Sequence, residues 1–187
     1  MNIDIVGYDV RANRRPGPMQ LRPATIADAP AACDVLRRSI TELCYADHGG
    51  DPAVLGKWLS NKTVENVSRW IADNHFFVAE DDGRLLGCAA MDGAGRITLN
   101  YVAPDARFRG VSKALVGVLE EAARNLGIEE CRLESTQTAL RFYRALGYVH
   151  SNESYPMPLT GTPATVLQKR LRTEEVHHER SGTFIRP

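Results

Sequence analysis

The sequence carries no net charge: 23 Lys and Arg side chains are matched by 23 Asp and Glu over 187 residues. No overall field draws the molecule toward nucleic acid or an anionic membrane, so neither is expected as a partner. No apolar run approaches the roughly 18 residues that cross a bilayer. Residues 1–19 hold Asp4, Asp9 and a basic cluster of Arg11, Arg14 and Arg15 where a secretory leader would place an apolar stretch. Cysteine is sparse and scattered. Cys33, Cys44, Cys88 and Cys131 include no C-x-x-C pair, which argues against a zinc site and a disulfide framework. His48 and His75 lack partners at ligand spacing, and His177-His178-Glu179 falls in a polar run, so no metal is expected. These absences leave a cytoplasmic protein with reduced, mostly buried thiols. At this length it has one domain.

What is present is a succession of clear periodicities. Residues 1–18, rich in Arg, Gly and Pro toward their end, are expected to be a flexible extension, and the domain to run over 19–171. After a short extended segment, Met19–Arg22, Thr25 with Asp28 three residues on marks a helix start. Ala32, Val35, Leu36, Ile40 and Leu43 then recur at helical spacing. His48-Gly49-Gly50-Asp51-Pro52 breaks the pattern, and two short helices follow around Val54–Leu59 and Val64–Ala72. Phe76–Glu80, Leu85–Met91 and Arg96–Val102 read as strands joined by the turns Asp81-Asp82-Gly83 and Asp92-Gly93-Ala94-Gly95, an antiparallel meander. The longest apolar stripe, Ala114 to Leu126, is closed by Gly127 in the C′ role. Cys131–Glu134 should run parallel to the strand before that helix, because a long helical crossover connects them. A helix from Thr138 to Leu146 and strands at Tyr148–His150 and Ala164–Leu171 complete the domain, and 172–187 read as a flexible tail. The sum is an α/β fold (α+β by some schemes), a mixed sheet with helices on both faces.

The chemistry concentrates between Tyr101 and Leu115. A strand ends at Val102, Pro104 terminates it, and a short loop enters the long helix near Gly110. A helix N-terminus offers unpaired N–H groups and the positive end of the macrodipole. Gly110 clears the approach, Ser112 is small, and Arg107, Arg109 and Lys113 add positive charge. This is an anion site suited to a diphosphate.

Arg107-x-x-Gly110-x-Ser112, placed after Val102-x-Pro104, resembles the R/Q-x-x-G-x-G/A coenzyme A loop of the GNAT N-acetyltransferases, with Ser112 where Gly or Ala is usual. Further on, Thr136-x-x-Ala139-x-x-Phe142-Tyr143-x-x-x-Gly147-Tyr148 resembles the family's later signature, N-x-x-A-x-x-x-Y-x-x-x-G-F, with Thr136 in place of Asn. The resemblance covers roughly Met19 to Leu171. It implies a mostly antiparallel twisted sheet whose central parallel pair splays to admit acetyl-CoA. Backbone groups of Asn100, Tyr101 and Val102 would then hold the pantetheine arm and polarise the thioester. The N–H groups of Phe108, Arg109, Gly110, Val111, Ser112 and Lys113 would hold the pyrophosphate, with Arg107 and Thr136 as further coenzyme contacts.

The same resemblance makes Tyr143 the general acid for the departing thiolate, since a phenol is protonated at neutral pH. The base is less marked, because Ile97–Tyr101 lacks a carboxylate where many relatives carry Glu. Glu134, at the neighbouring strand end, is the candidate; Asp92 and Glu42 stand behind it, and a chain of water is the alternative. The acceptor is an amine, on a small molecule or a peptide, selected by the helices over about 27–73 with Trp58, Trp70, Glu42, Tyr45, Asp47 and Asp51 among them. Two other readings use the same fold: a non-catalytic acyl-CoA-binding module, and an enzyme for a longer acyl-CoA. Pairing of the late strands into a homodimer is a family habit.

Overall fold

The computed structural model describes residues 18–151 and 165–171. The expected extension at 1–18 and tail at 172–187, with His177-His178-Glu179, lie outside the described residues save for Pro18, as does Ala164. Among the described residues seven strands form one sheet in the order β1-β2-β3-β4-β5-β7-β6. They are β1 (Gln20–Pro23), β2 (His75–Asp81), β3 (Arg84–Met91), β4 (Arg96–Val102), β5 (Glu130–Ser135), β6 (Val149–His150) and β7 (Thr165–Arg170). All neighbours pair antiparallel except β4 and β5. The β2–β3 hairpin turns at Asp82-Gly83, both with positive φ (50° and 76°), the left-handed pair that a two-residue turn needs to match strand twist.

Among the described residues six helices flank the sheet: α1 (Ala29–Leu43), α2 (Tyr45–His48), α3 (Pro52–Leu59), α4 (Val64–Asp73), α5 (Val111–Asn125) and α6 (Gln137–Ala145). The Thr25 start signal is realised on a 3-10 turn, Ile26–Asp28, where the Asp28 carboxylate accepts from the Thr25 N–H at 2.7 Å; α1 proper begins after it. Ala32, Val35, Leu36 and Ile40 are buried as their spacing predicts. The helix α1 packs with α4 on one face of β3 and β4, and α5 crosses the other face. Gly87 sets that second contact: a Cβ there would stand 2.8 Å from the Tyr101 carbonyl and 2.8 Å from Val111 Cγ1, so only glycine lets α5 lie this close. Leu115 and Leu119 are fully buried beneath α5, each contributing roughly 2 kcal/mol of apolar burial.

The α6 end is fixed on the α5 face by a buried polar knot. Glu120 of α5 accepts from the Tyr148 hydroxyl at 3.1 Å and from Lys169 Nζ of β7 at 2.8 Å to each oxygen. Burial raises the thiols of Cys33, Cys44, Cys88 and Cys131 above their ordinary value, as core packing requires of groups that stay protonated. Among the described residues no helix is long and apolar enough to cross a membrane, and no group of His, Cys, Asp and Glu is disposed to hold a metal. His48 is buried in the fold, its Nδ1 accepting from the Gly50 N–H at 3.0 Å.

Candidate active site

The two parallel strands pair over two positions only, Arg96 with Arg132 and Ile97 with Leu133. Among the described residues the β4 edge toward β5 has no strand partner from Leu99 to Val102, and the sheet opens. A bulge drives the parting. Met91 pairs with Ile97 but Ala90 pairs with Leu99, so Thr98 is an extra residue that bends the strand. It also resets the alternation of side chains. In continuous register position 100 would oppose Cys88, on the α1 face; the bulge places Asn100 opposite Ala89, on the α5 face, and Tyr101 opposite Cys88.

The gap is a cleft of about 400 Å³. Its walls are β4 from Ile97 to Val102, the loop and first turn of α5, the end of β5 with Glu134, and α6 from its cap Thr136 to Phe142 and Tyr143 in its second half. Of the site residues singled out in the sequence, Asn100, Tyr101, Val102, Arg107, Phe108, Gly110, Val111, Ser112, Lys113, Glu134, Thr136 and Tyr143 all line it. Arg109 does not. Its guanidinium is held by Asp81 of β2 at 3.0 Å, so its side chain ties the loop to the sheet instead of supplying free charge. Ser39, Leu43 and Cys44, from the α1 end, complete the α1-face wall, and nothing in their types marked them beforehand.

At one end of the cleft the chain is built to receive an anion. Phe108 and Gly110 take left-handed φ values of 61° and 78°, the backbone conformation from which N–H nests for anions are built. No side chain caps α5, which leaves the first-turn N–H groups of Val111, Ser112 and Lys113 open. The space where a Gly110 side chain would stand is clear to 4 Å. Arg107 lies over the exposed Phe108 ring, 4.6 Å from its centroid. These features fit a diphosphate of coenzyme size.

At the other end sits Tyr143, buried between Phe142 and Tyr148, with ring centroids 5.0 and 5.6 Å away. Burial pushes its phenol up to about 12, partly opposed by a hydrogen bond that Asn100 Nδ2 donates to its oxygen at 3.2 Å. The Thr136 hydroxyl accepts from the Ala139 N–H at 3.3 Å and caps α6. Asp47 of α2 does the rest of that capping across 90 residues. Its carboxylate accepts from Gln137 N at 2.6 Å, from Thr138 N at 3.3 Å and from the Thr138 hydroxyl.

The strand β5 alternates: Cys131, Leu133 and Ser135 are buried, while Glu130, Arg132 and Glu134 look to the opposite face. Cys131 pairs with Lys169, which reaches Glu120 of α5. Glu134 is therefore exposed on the face opposite α5, and Tyr143 approaches from the α5 face. On the Glu134 side the cleft adjoins a groove of about 480 Å³ lined by Asp92, Arg96, Glu129, Glu130, Arg132 and Glu134. Asp92 serves as a turn residue, accepting from the N–H groups of Ala94 and Arg96, and Glu42 lies against Arg38 at 3.5 Å. Neither lines the cleft. Trp58 is buried and Asp51 caps α3, which removes both from acceptor contact as free groups.

A splayed parallel pair, an uncapped helix at one end and a buried phenol at the other define a coenzyme-dependent acyltransferase. A family model described as Acetyltransferase (GNAT) domain matches residues 46–157, and the chain belongs to that family. It is 29% identical over 112 residues to the peptidyl-lysine N-acetyltransferase YiaC of Escherichia coli (strain K12), covering 52% of this chain and 75% of that one. It is 26% identical over 161 residues to the uncharacterized N-acetyltransferase YjgM of the same organism, covering 80% of this chain and 92% of that one. The fold matches the PaiA N-acetyltransferase of Thermoplasma acidophilum, solved in complex with coenzyme A, with a TM-score of 0.70 at 20% identity over 82% of this chain and 99% of that one. The chain is thus an N-acetyltransferase of the GNAT fold.

Proposed function

We propose that residues 19–171 transfer the acetyl group of acetyl-CoA to a primary amine that reaches the site as a cation, by direct attack with both substrates bound. The observation that carries this reading is the splay itself, which joins an anion nest, a free strand edge and a buried phenol in one cleft. Acetyl-CoA supplies an activated thioester. The Phe108–Lys113 backbone takes its diphosphate, and the unpaired edge of β4 at Asn100–Val102 takes its arm and donates to the carbonyl as negative charge develops. The amine nitrogen bonds to the carbonyl carbon and the carbon–sulfur bond breaks. Tyr143 passes its proton to the sulfur from the α5 face. Glu134, on the opposite face, takes the ammonium proton directly or through water before attack, and the second N–H proton passes to solvent as the amide forms.

The acceptor class follows from charge. Four carboxylates (Asp92, Glu129, Glu130, Glu134) line the adjoining groove against two guanidinium groups (Arg96, Arg132), which favours a cation. YiaC acts on peptidyl lysine, and a lysine side chain is a ligand of that description. The test is thiol release from acetyl-CoA with a panel of amines, in wild type and Tyr143→Phe. The variant should turn over about 10- to 1000-fold more slowly, as loss of a general acid implies, with coenzyme affinity near normal. Full turnover by the variant would refute the assignment.

A further inference from the structure

The buried phenol that donates the proton has one hydrogen-bond partner among the described residues, the side chain of Asn100. The Asn100 Oδ1 atom is buried in the cleft wall without a partner. An amide nitrogen only donates, so a phenol that faces Nδ2 accepts there, and its own O–H must turn elsewhere. Tyr143 is otherwise surrounded by the Phe142 and Tyr148 rings, and the open direction is the cleft.

We propose that Asn100 is the positioning residue of the proton donor, its Nδ2 holding the Tyr143 oxygen so that the hydroxyl hydrogen points at the leaving sulfur. The inference rests on the proton-donor reading of Tyr143 given above. As the carbon–sulfur electron pair moves to sulfur, the O–H bond of Tyr143 breaks and an S–H bond forms. The phenolate left behind keeps the Asn100 N–H, which stabilises its charge in a site with little water, and it regains a proton from solvent after the products leave. The amide orientation decides the outcome. Reversed, the phenol would donate to Oδ1 and hold its proton away from the sulfur. The bulge at Thr98 makes the contact possible, because it alone turns Asn100 to the α6 side of the sheet.

The experiment is a double-mutant cycle on turnover. Asn100→Leu removes the donor, and Asn100→Asp keeps the shape but offers only acceptors, imposing the reversed arrangement. Each should lower turnover by about 10- to 100-fold, the range for losing a hydrogen bond to a group that gains charge. Coenzyme affinity by calorimetry and melting temperature, recorded for each variant, confirm the fold. In a Tyr143→Phe background both Asn100 substitutions should cost almost nothing more, since they act through the missing hydroxyl. A further full loss in that background overturns the proposal and leaves the Tyr143 assignment standing, as does wild-type turnover in Asn100→Asp. Undiminished turnover in Tyr143→Phe alone overturns both.

Discussion

Replacing Asp47 by Ala severs a strut between the two sides of the cleft. The α6 helix carries Tyr143, and its first turn has three N–H groups to satisfy. Thr136 serves Ala139, while Asp47 serves Gln137 and Thr138 and binds the Thr138 hydroxyl as well. Loss of a helix cap costs about 0.5–2 kcal/mol, and the carboxylate at a helix N-terminus adds ~0.3–1 kcal/mol of dipole interaction. These contacts are solvent-exposed, so a total near 1 kcal/mol is expected. In a chain of 150–250 residues that lowers the melting temperature by about 2–4 °C. Turnover should fall more than stability suggests, by about tenfold, because a small displacement of Tyr143 spoils the proton transfer proposed for it. The assay is a thermal melt and a thiol-release rate on Asp47→Ala, with Asp47→Asn beside it. The Asn variant retains one acceptor oxygen without the charge and should fall between. An Ala variant with wild-type melting temperature and wild-type turnover would refute the strut.

Two further substitutions probe the frame. Gly87→Ala puts a Cβ 2.8 Å from the Tyr101 carbonyl and from Val111 Cγ1, so it must push β4 or α5 aside at the loop. It should cost about 1–3 kcal/mol in a melt and weaken coenzyme binding by calorimetry, and unaltered binding would show that the loop is decoupled from β3. Lys62 is buried, 2.6 Å from Asn61 Oδ1 and 5.5 Å from the centre of the Trp70 ring, and burial lowers its ammonium from 10.5 to about 8. The unfolded chain holds this proton up to pH ~10.5 and the folded one only to ~8, so wild-type stability gains from this group as pH rises between those values. Lys62→Met should be about 1 kcal/mol more stable than wild type at pH 7, with that margin shrinking by pH 10; a margin independent of pH would contradict the burial cost.

Local signals were strong enough to place nearly every element. The helical stripe over Ala114–Leu126, the paired left-handed turn at Asp82-Gly83 and the closing Gly127 each act within a few residues, where sequence spacing and geometry are the same thing. The open loop that enters α5 was legible for that reason: Gly110 and the uncapped start of α5 are neighbours in the chain. What escaped depends on register or on long-range contact. Thr98 has no feature that announces an extra residue, yet it decides which face Asn100 takes. Asp47 looks like an ordinary acidic residue of an exposed helix until α6 arrives 90 positions later. Arg109 counts as positive charge in the loop by its type, and only the fold brings Asp81 to pair with it.

The bulge at Thr98 links the opening of the sheet to the placement of its chemistry. A parallel pair bonded along its full length would seal the edge of β4 with N–H to O=C bonds and leave no donor for a thioester carbonyl. Among the described residues β4 pairs with β5 no further than Ile97 and Leu133, so the β5-facing backbone groups beyond have no strand partner, and the same extra residue rotates Asn100 toward Tyr143. Glu134 emerges on the other face because β5 continues its alternation undisturbed. The carboxylate of Glu134 and the phenol of Tyr143, the proposed proton acceptor and donor, then stand on opposite faces of one gap. On the proposed mechanism the two groups would then not exchange protons directly, and the amine would enter from the Glu134 face while the sulfur is served from the α5 face.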